Sequence, residues 1–364
     1  MKRSFLISLI LLGAILLSAC AAGASATSWP GLAADSKMAY LANGAFIYAV
    51  RLNDGSKAWQ YPDKSGTQLF YADPVLTTDG QLLVGSAGRD DQLTSLDPST
   101  GQQKWSAPFV ATDRWVAPPL VVESKVYAAN NDGTLYVLDL ATGSKVWSLH
   151  ISRELWGAPV TNGKLIFVTS LDHFLYAVDP DAQKVVWKVD LGGSVPGSPA
   201  VSKDGTTLFI GSFAKKIFAV DVATGSIRWT ADTKDWIWSA PVLGGDSLFA
   251  ADISGNIYSL GVPNGKNAWP ILQPDGPITG SPLVLTDSSS STDAGDNILV
   301  ATESGSLFSF DATGVKKWDV TLGGKIYTSP IPAGDVIVAA PLGTDFLLAA
   351  VSKDGKLLWK FTGK

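Results

Sequence analysis

The sequence predicts an all-β protein, an eight-bladed β-propeller of four-stranded antiparallel blades. Three observations carry this. Tryptophan recurs at near-equal intervals eight times. A proline that mostly follows a small residue stands about 30 residues before each of these tryptophans. Between the two markers the chain reads as four short strands bounded by Gly, Asp and Ser, and no stretch after residue 20 has a convincing helical period.

The chain of 364 residues begins with Lys2 and Arg3, then an apolar run from Phe5 to Leu17. That run is too short to span a bilayer and fits a signal-peptide core. It ends in Leu17-Ser18-Ala19-Cys20, which resembles the bacterial lipobox, and Cys20 is the only cysteine. Residues 1–19 are therefore expected to be a lipoprotein signal peptide and Cys20 the lipidated residue. Ala21 to Ser28 reads as a short flexible tether. Acyl chains on Cys20 would hold the protein at a membrane, each buried CH₂ contributing about 0.8 kcal/mol.

Residues 29–364 form the repeat. The tryptophans are Trp59, Trp105, Trp147, Trp187, Trp229, Trp269, Trp318 and Trp359, separated by 46, 42, 40, 42, 40, 49 and 41 residues. Glycine stands four residues before seven of them: Gly55, Gly101, Gly143, Gly225, Gly265, Gly314 and Gly355. Gln183 is the exception. The proline marker is seen in Ala117-Pro118, Ala158-Pro159, Ser198-Pro199, Ala240-Pro241, Ser281-Pro282 and Ser329-Pro330, with Trp29-Pro30 and Asp73-Pro74 in the first two blades. In the fifth repeat the strands are Pro199 to Val201, Thr207 to Ile210, Lys216 to Asp221 and Ile227 to Trp229. One segment breaks the rhythm: Asp287 to Asn297 has the composition of a surface loop.

The motif has a physical rationale. Glycine adopts positive φ and closes the hairpin between the third and outermost strands. Asp and Thr just before it bond the turn backbone. Tryptophan on the outer strand can then lie across the gap to the next blade, burying roughly 150–250 Å². A blade alone cannot cover both of its faces, so stability is expected to arise at the joints.

The string A-x-D-x-x-T-G-x-x-x-W, as in Ala219 to Trp229, resembles the tryptophan-docking motif of the PQQ-like (quinoprotein-type) propeller repeats. The resemblance covers essentially residues 28–364. It implies the propeller fold, and one fold hosts many roles. Two branches of the family matter. The quinoprotein dehydrogenases bind pyrroloquinoline quinone and Ca²⁺ in the axial funnel. The BamB-like lipoproteins of the outer-membrane β-barrel assembly machinery bind protein partners. Length, lipobox and bare blades match the second branch.

Chemistry is sparse. The dehydrogenase branch usually carries a disulfide of adjacent cysteines over its cofactor, and no cysteine other than Cys20 exists here. The motif carboxylates Asp97, Asp139, Asp179, Asp221 and Asp311 read as turn formers. His150 and His173 have no metal-spaced partner. No cofactor, metal site or enzymatic activity is expected. Formal net charge is −5, and removing Lys2 and Arg3 with the leader leaves 26 basic against 33 acidic residues, so nothing resembles a nucleic-acid footprint.

One constellation is not explained by blade packing. Three residues before the strand-opening prolines of blades two to eight stand Tyr71, Trp115, Trp156, Pro196, Trp238, Thr279 and Tyr327. Inner strands line a propeller axis, so these positions predict an aromatic collar at the funnel mouth, with Arg114, Arg153, Asp235 and Trp236 close by. The collar is either a contact surface or a set of rings packing the blade loops together. Aromatic residues and arginine favour the centres of interfaces. The expected role is a monomeric, membrane-tethered scaffold for a protein partner of the cell envelope, on the extracytoplasmic face. Where the cell has two membranes, that is the periplasmic side of the outer membrane. The alternatives are a sugar or planar-quinone ligand in the funnel, or a quinoprotein dehydrogenase.

Overall fold

The computed structural model describes residues 29–285 and 297–364. The leader, Cys20, the tether and all but the last residue of the Asp287–Asn297 segment lie outside the described residues. The described chain forms eight antiparallel sheets, each built from consecutive strands with no strand exchanged between sheets. Blade one comprises Gly31–Ala34, Met38–Asn43, Phe46–Arg51 and Lys57–Tyr61, in that spatial order. Blade eight comprises Ile331–Ala333, Val336–Ala339, Leu348–Ser352 and Leu357–Phe361. The ring therefore closes between two whole blades.

The first strands of neighbouring blades touch: Gly31–Ala34 meets Val75–Leu76 on one side and Ile331–Ala333 on the other. They converge on the axis. The middle strands of each blade are the most deeply buried, with Leu82–Gly85 and Thr207–Ser212 wholly so. Outer strands such as Lys184–Asp190 alternate exposed and half-buried residues, as one solvated face requires.

The buried apolar residues fall into eight clusters, and each straddles one joint. One holds Phe209, Ile217 and Ala219 of blade five with Leu248, Ala250 and Tyr258 of blade six. The cluster that closes the ring joins Val338, Leu348 and Ala350 of blade eight to Leu41, Tyr48 and Val50 of blade one. The hydrophobic core is thus a set of eight interblade cores, and burial stabilises blades pairwise.

Each docking tryptophan belongs to one blade and lies on the third-to-fourth-strand turn of the next. Six of the eight donate the indole N–H to a turn carbonyl: Trp59 to Pro98 (3.0 Å), Trp105 to Leu140 (2.9 Å), Trp187 to Val222 (3.0 Å), Trp229 to Val262 (3.0 Å), Trp318 to Lys353 (2.9 Å) and Trp359 to Leu52 (2.8 Å). The motif glycine has two duties. Its φ is positive, between 66° and 87°. It also lies beneath the ring: a Cβ on Gly143 would fall 2.5 Å from Cε3 of Trp105. The motif aspartate accepts backbone N–H groups of its own turn, as Asp139 does from Thr142 at 2.9 Å.

Blade six departs from the others. Its regular sheet has three strands, and its outer edge is held by isolated bridges at Asn267 and Leu272. Pro270, directly after Trp269, has no N–H to give to a ladder. The Trp269 ring sits deeper on the following turn than the other docking rings do. A Cβ on Gly314 would lie 1.7 Å from it, against 2.5–2.8 Å at the other six glycines. The buried Trp269 N–H has no hydrogen-bond partner.

Candidate functional site

The crossover loops, which link the outer strand of one blade to the inner strand of the next, share a face with the hairpins between second and third strands. Backbone bonds tie the two sets together: Leu171 N–H to Glu154 O (3.0 Å), Phe213 N–H to Ser194 O (3.0 Å) and Ile253 N–H to Trp236 O (3.0 Å). All the collar positions read from the sequence lie in crossover loops.

The same bonding pattern corrects the register of one of them. Trp115 N–H bonds Ser86 O, as Val195 bonds Ser170 O and Ile237 bonds Ser212 O. Trp115 therefore stands four residues before the strand-opening proline of its blade, Pro119, not three before Pro118. Every equivalent position is a buried core residue: Phe70, Leu155, Val195, Ile237, Ile278 and Ile326. Trp115 is 1 % exposed, packs against Phe109 and Tyr136, and donates its indole N–H to Asp91 O at 2.9 Å. It belongs to the joint between blades two and three and not to the collar. The doubled proline hid the offset.

Trp156 and Trp238 do meet. They belong to the crossovers into blades four and six, and their ring centroids lie 6.2 Å apart at 58°. Trp29, at the start of blade one, stands 6.3 Å from Trp238 at 87°. Rings from three blades spaced around the circle converge, so they sit over the funnel mouth. Phe213, from a hairpin of blade five, lies 5.5 Å from Trp238 and stacks on Trp236 at 4.8 Å and 16°. The result is a cluster of five aromatic rings on one face. Trp236 is 42 % exposed and Trp29 38 %. Tyr71 and Tyr327 stand apart from it. The Tyr327 carbonyl accepts the Thr279 hydroxyl (3.1 Å), and Lys325 lies 5.9 Å over its ring.

The walls of the cluster are fixed by polar contacts. Trp156 donates its indole N–H to Asn131 Oδ1 (2.8 Å), and Asn131 donates to Asp113 Oδ2 (2.7 Å). The Trp236–Trp238 loop is held through Asp235. Its N–H bonds the buried Asp252 carboxylate (3.0 Å), and its own carboxylate accepts Ser254 Oγ (2.6 Å) and pairs with Lys215 (3.1 Å). The Ser254 hydrogen bond, then the Lys215 ammonium, hold the Asp235 carboxyl below its ordinary value. Arg114 and Arg153 are exposed in the adjoining crossovers and form no ion pair among the described residues.

Sequence reasoning placed Trp156, Trp238 and Trp236 near the mouth but missed Phe213 and the part played by Trp29. Phe213 follows the hairpin serine of blade five, where the equivalent positions carry Ala87, Asn131, Leu171, Ile253 and Glu303 and no other aromatic ring, so a lone deviation was its only signal.

Asp73 stands directly before the strand-opening proline of blade two. It accepts Leu32 N–H (2.8 Å) and so ties blade two to the inner strand of blade one. Its side chain is open to solvent, yet protein surrounds it, and that enclosure pushes its carboxyl up to about 6. On the opposite face, a cavity of about 350 Å³ between blades five and six is lined by Lys203, Asp204, Arg228 and Asp246. The Arg228 guanidinium is already engaged by Asp221 (2.6 Å) and Thr207 (2.6 Å), and it holds the Asp221 carboxyl down to about 2. Among the described residues, no group of three or more His, Cys, Asp or Glu is placed to hold a metal ion.

Comparison with known proteins adds the following. A family model described as outer membrane protein assembly factor BamB matches residues 42–168, 172–292 and 282–364. The outer membrane protein assembly factor BamB of Burkholderia pseudomallei is 24% identical over 277 residues, which cover 71% of this chain and 68% of that protein. The tetrathionate hydrolase of Acidithiobacillus ferrooxidans is 26% identical over 287 residues, covering 66% of this chain and 56% of the hydrolase. The crystal structure of BamB from Moraxella catarrhalis superposes with a TM-score of 0.69 at 17% identity, covering 85% of this chain and 92% of that one. That likeness shows the fold.

Proposed function

The chain belongs to the family described as outer membrane protein assembly factor BamB, and from that membership we propose that it is a non-enzymatic scaffold that binds a protein partner in outer-membrane protein assembly. Cys20 carries the lipid that anchors it to the periplasmic side of the outer membrane, and the propeller acts as a monomer. One observation carries the reading: a pre-formed, partly exposed cluster of five aromatic rings at the funnel mouth, with two arginines beside it that form no ion pair among the described residues. Tryptophan and arginine dominate the energetic centres of interfaces. Loops already fixed by Asn131, Asp235 and Asp252 lose little freedom on binding. The carboxylates of the repeat favour the same reading, since Asp97, Asp139, Asp179, Asp221 and Asp311 are all spent on turn backbone.

Affinity capture from detergent-solubilised membranes tests this. The wild-type protein should retain a reproducible envelope partner, and Trp156→Ala and Trp238→Ala should lose it while still unfolding cooperatively. Capture of no membrane protein by the wild type would overturn the reading. Titration with pyrroloquinoline quinone and Ca²⁺ should leave the visible spectrum unchanged.

A further inference from the structure

Trp29 is the ring that the repeat does not call for. Its equivalents, directly before the strand-opening prolines, are Asp73, Pro118, Ala158, Ser198, Ala240, Ser281 and Ser329. At this position Ser198 and Ser329 accept a neighbour's N–H, from Ala158 (2.8 Å) and Ser281 (2.7 Å), and so knit the loops around the axis. An indole there serves no such bond. It extends instead across the mouth and sets itself edge-to-face on Trp238, with more than a third of its surface left in water.

We propose that Trp29 is an intramolecular occupant of an aromatic subsite whose floor is Trp238, with Trp156 packed beside that ring. The subsite's external ligand is then a tryptophan or phenylalanine side chain on an extended segment of a partner, and that side chain displaces Trp29. The inference rests on the protein-binding reading above and names the chemistry that the face recognises. The geometry suits it. Aromatic rings favour edge-to-face or offset contacts at centroid distances of about 4.5–7 Å, and Trp238 meets Trp29 at 87°, Trp156 at 58° and Phe213 at 35°. Trp238 is backed by Phe213, and Trp156 is locked by Asn131, so both rings stay in place when the occupant leaves. Trp29 lies at the very start of the described chain, joined through Pro30 to the first inner strand. It can leave without unpairing a strand. Displacing it would free the root of the segment that leads back to Cys20.

The test uses the full lipidated protein, purified from membranes in detergent and labelled with 5-fluorotryptophan. The Trp29 resonance is assigned from Trp29→Phe. Titration with N-acetyl-tryptophanamide should move the Trp29, Trp156 and Trp238 resonances saturably, and N-acetyl-alaninamide should not. Removing the internal competitor in Trp29→Ala should tighten binding about two- to tenfold, the factor that one edge-to-face ring pair is worth. Trp238→Ala should abolish binding while the docking-tryptophan resonances keep their dispersion. Equal affinity in wild type and Trp29→Ala, or an equal response to the alanine probe, would overturn the proposal. Failure is distinguishable from failure of the scaffold reading: membrane capture that survives Trp29→Ala without any aromatic binding sinks only this inference. Aromatic binding with no captured partner sinks only the other.

Discussion

At Gln183 the repeat departs from its own rule, and the cost is visible. Gln183 holds φ at 54°, where a side chain is strained, and Trp147 is the tryptophan that docks on its turn. Trp147 is one of the two docking indoles without a bond to a turn carbonyl, and its turn is the one that carries a side chain in place of glycine. Gln183→Gly should therefore stabilise the protein by about 1 kcal/mol, read as a rise in thermal melting. Asp73 makes a second residue-scale prediction. Its folded-state pKa is raised from 3.8 to about 6, so the folded protein favours the protonated form. The charged form is penalised at neutral pH, and the penalty fades as pH falls through 6 towards 4. Asp73→Asn, which keeps an acceptor for Leu32 N–H, should melt higher than wild type at pH 8, with the gap closing by pH 4. At this scale the sequence was least legible. Pro118-Pro119 concealed a one-residue offset that moved Trp115 from the surface to the core. The Trp29–Trp238 contact spans the axis, so no local period could announce it.

Elements were legible because each must satisfy a rule that repeats. The turn glycine, the aspartate and the tryptophan are spaced by the geometry of one joint, and eight copies made the spacing unmistakable. Blade six escaped the pattern for a local reason: Pro270 denies the outer strand its ladder while Trp269 still docks. The joint can be separated from turn strain by a paired substitution. Gly80 and Gly143 have similar positive φ values, 79° and 74°, but a Cβ on Gly80 meets nothing within 4 Å, whereas one on Gly143 strikes Trp105. Gly80→Ala should cost about 1 kcal/mol from the left-handed backbone alone. Gly143→Ala should cost several times more, as it also lifts the indole from its seat. Equal losses in denaturant titrations would mean that the indole contact contributes little. Trp229→Ala should cost about 3–5 kcal/mol by the same joint logic.

For the whole molecule, the closing joint is built like five of the other seven, with both the glycine seat and the indole bond. Trp359 bonds Leu52 O and covers Gly55, and the first and last blades share a core but no strand. Joining residues 29 and 364 with a short linker and reopening the chain in the crossover at Gly192–Gly193 should yield a protein with the same far-UV spectrum and nearly the same melting temperature. A permutant that fails to fold would show that order of synthesis, and not the joint, decides closure.

Leu285 and Asn297 are paired rungs of one antiparallel ladder in blade seven. The two residues therefore end their strands at adjacent points, on the side of the disc away from the aromatic cluster. A fluorescent protein spliced there would load neither neighbouring strand. On a supported bilayer its height would show directly whether the aromatic side of the disc looks toward the lipid or away from it.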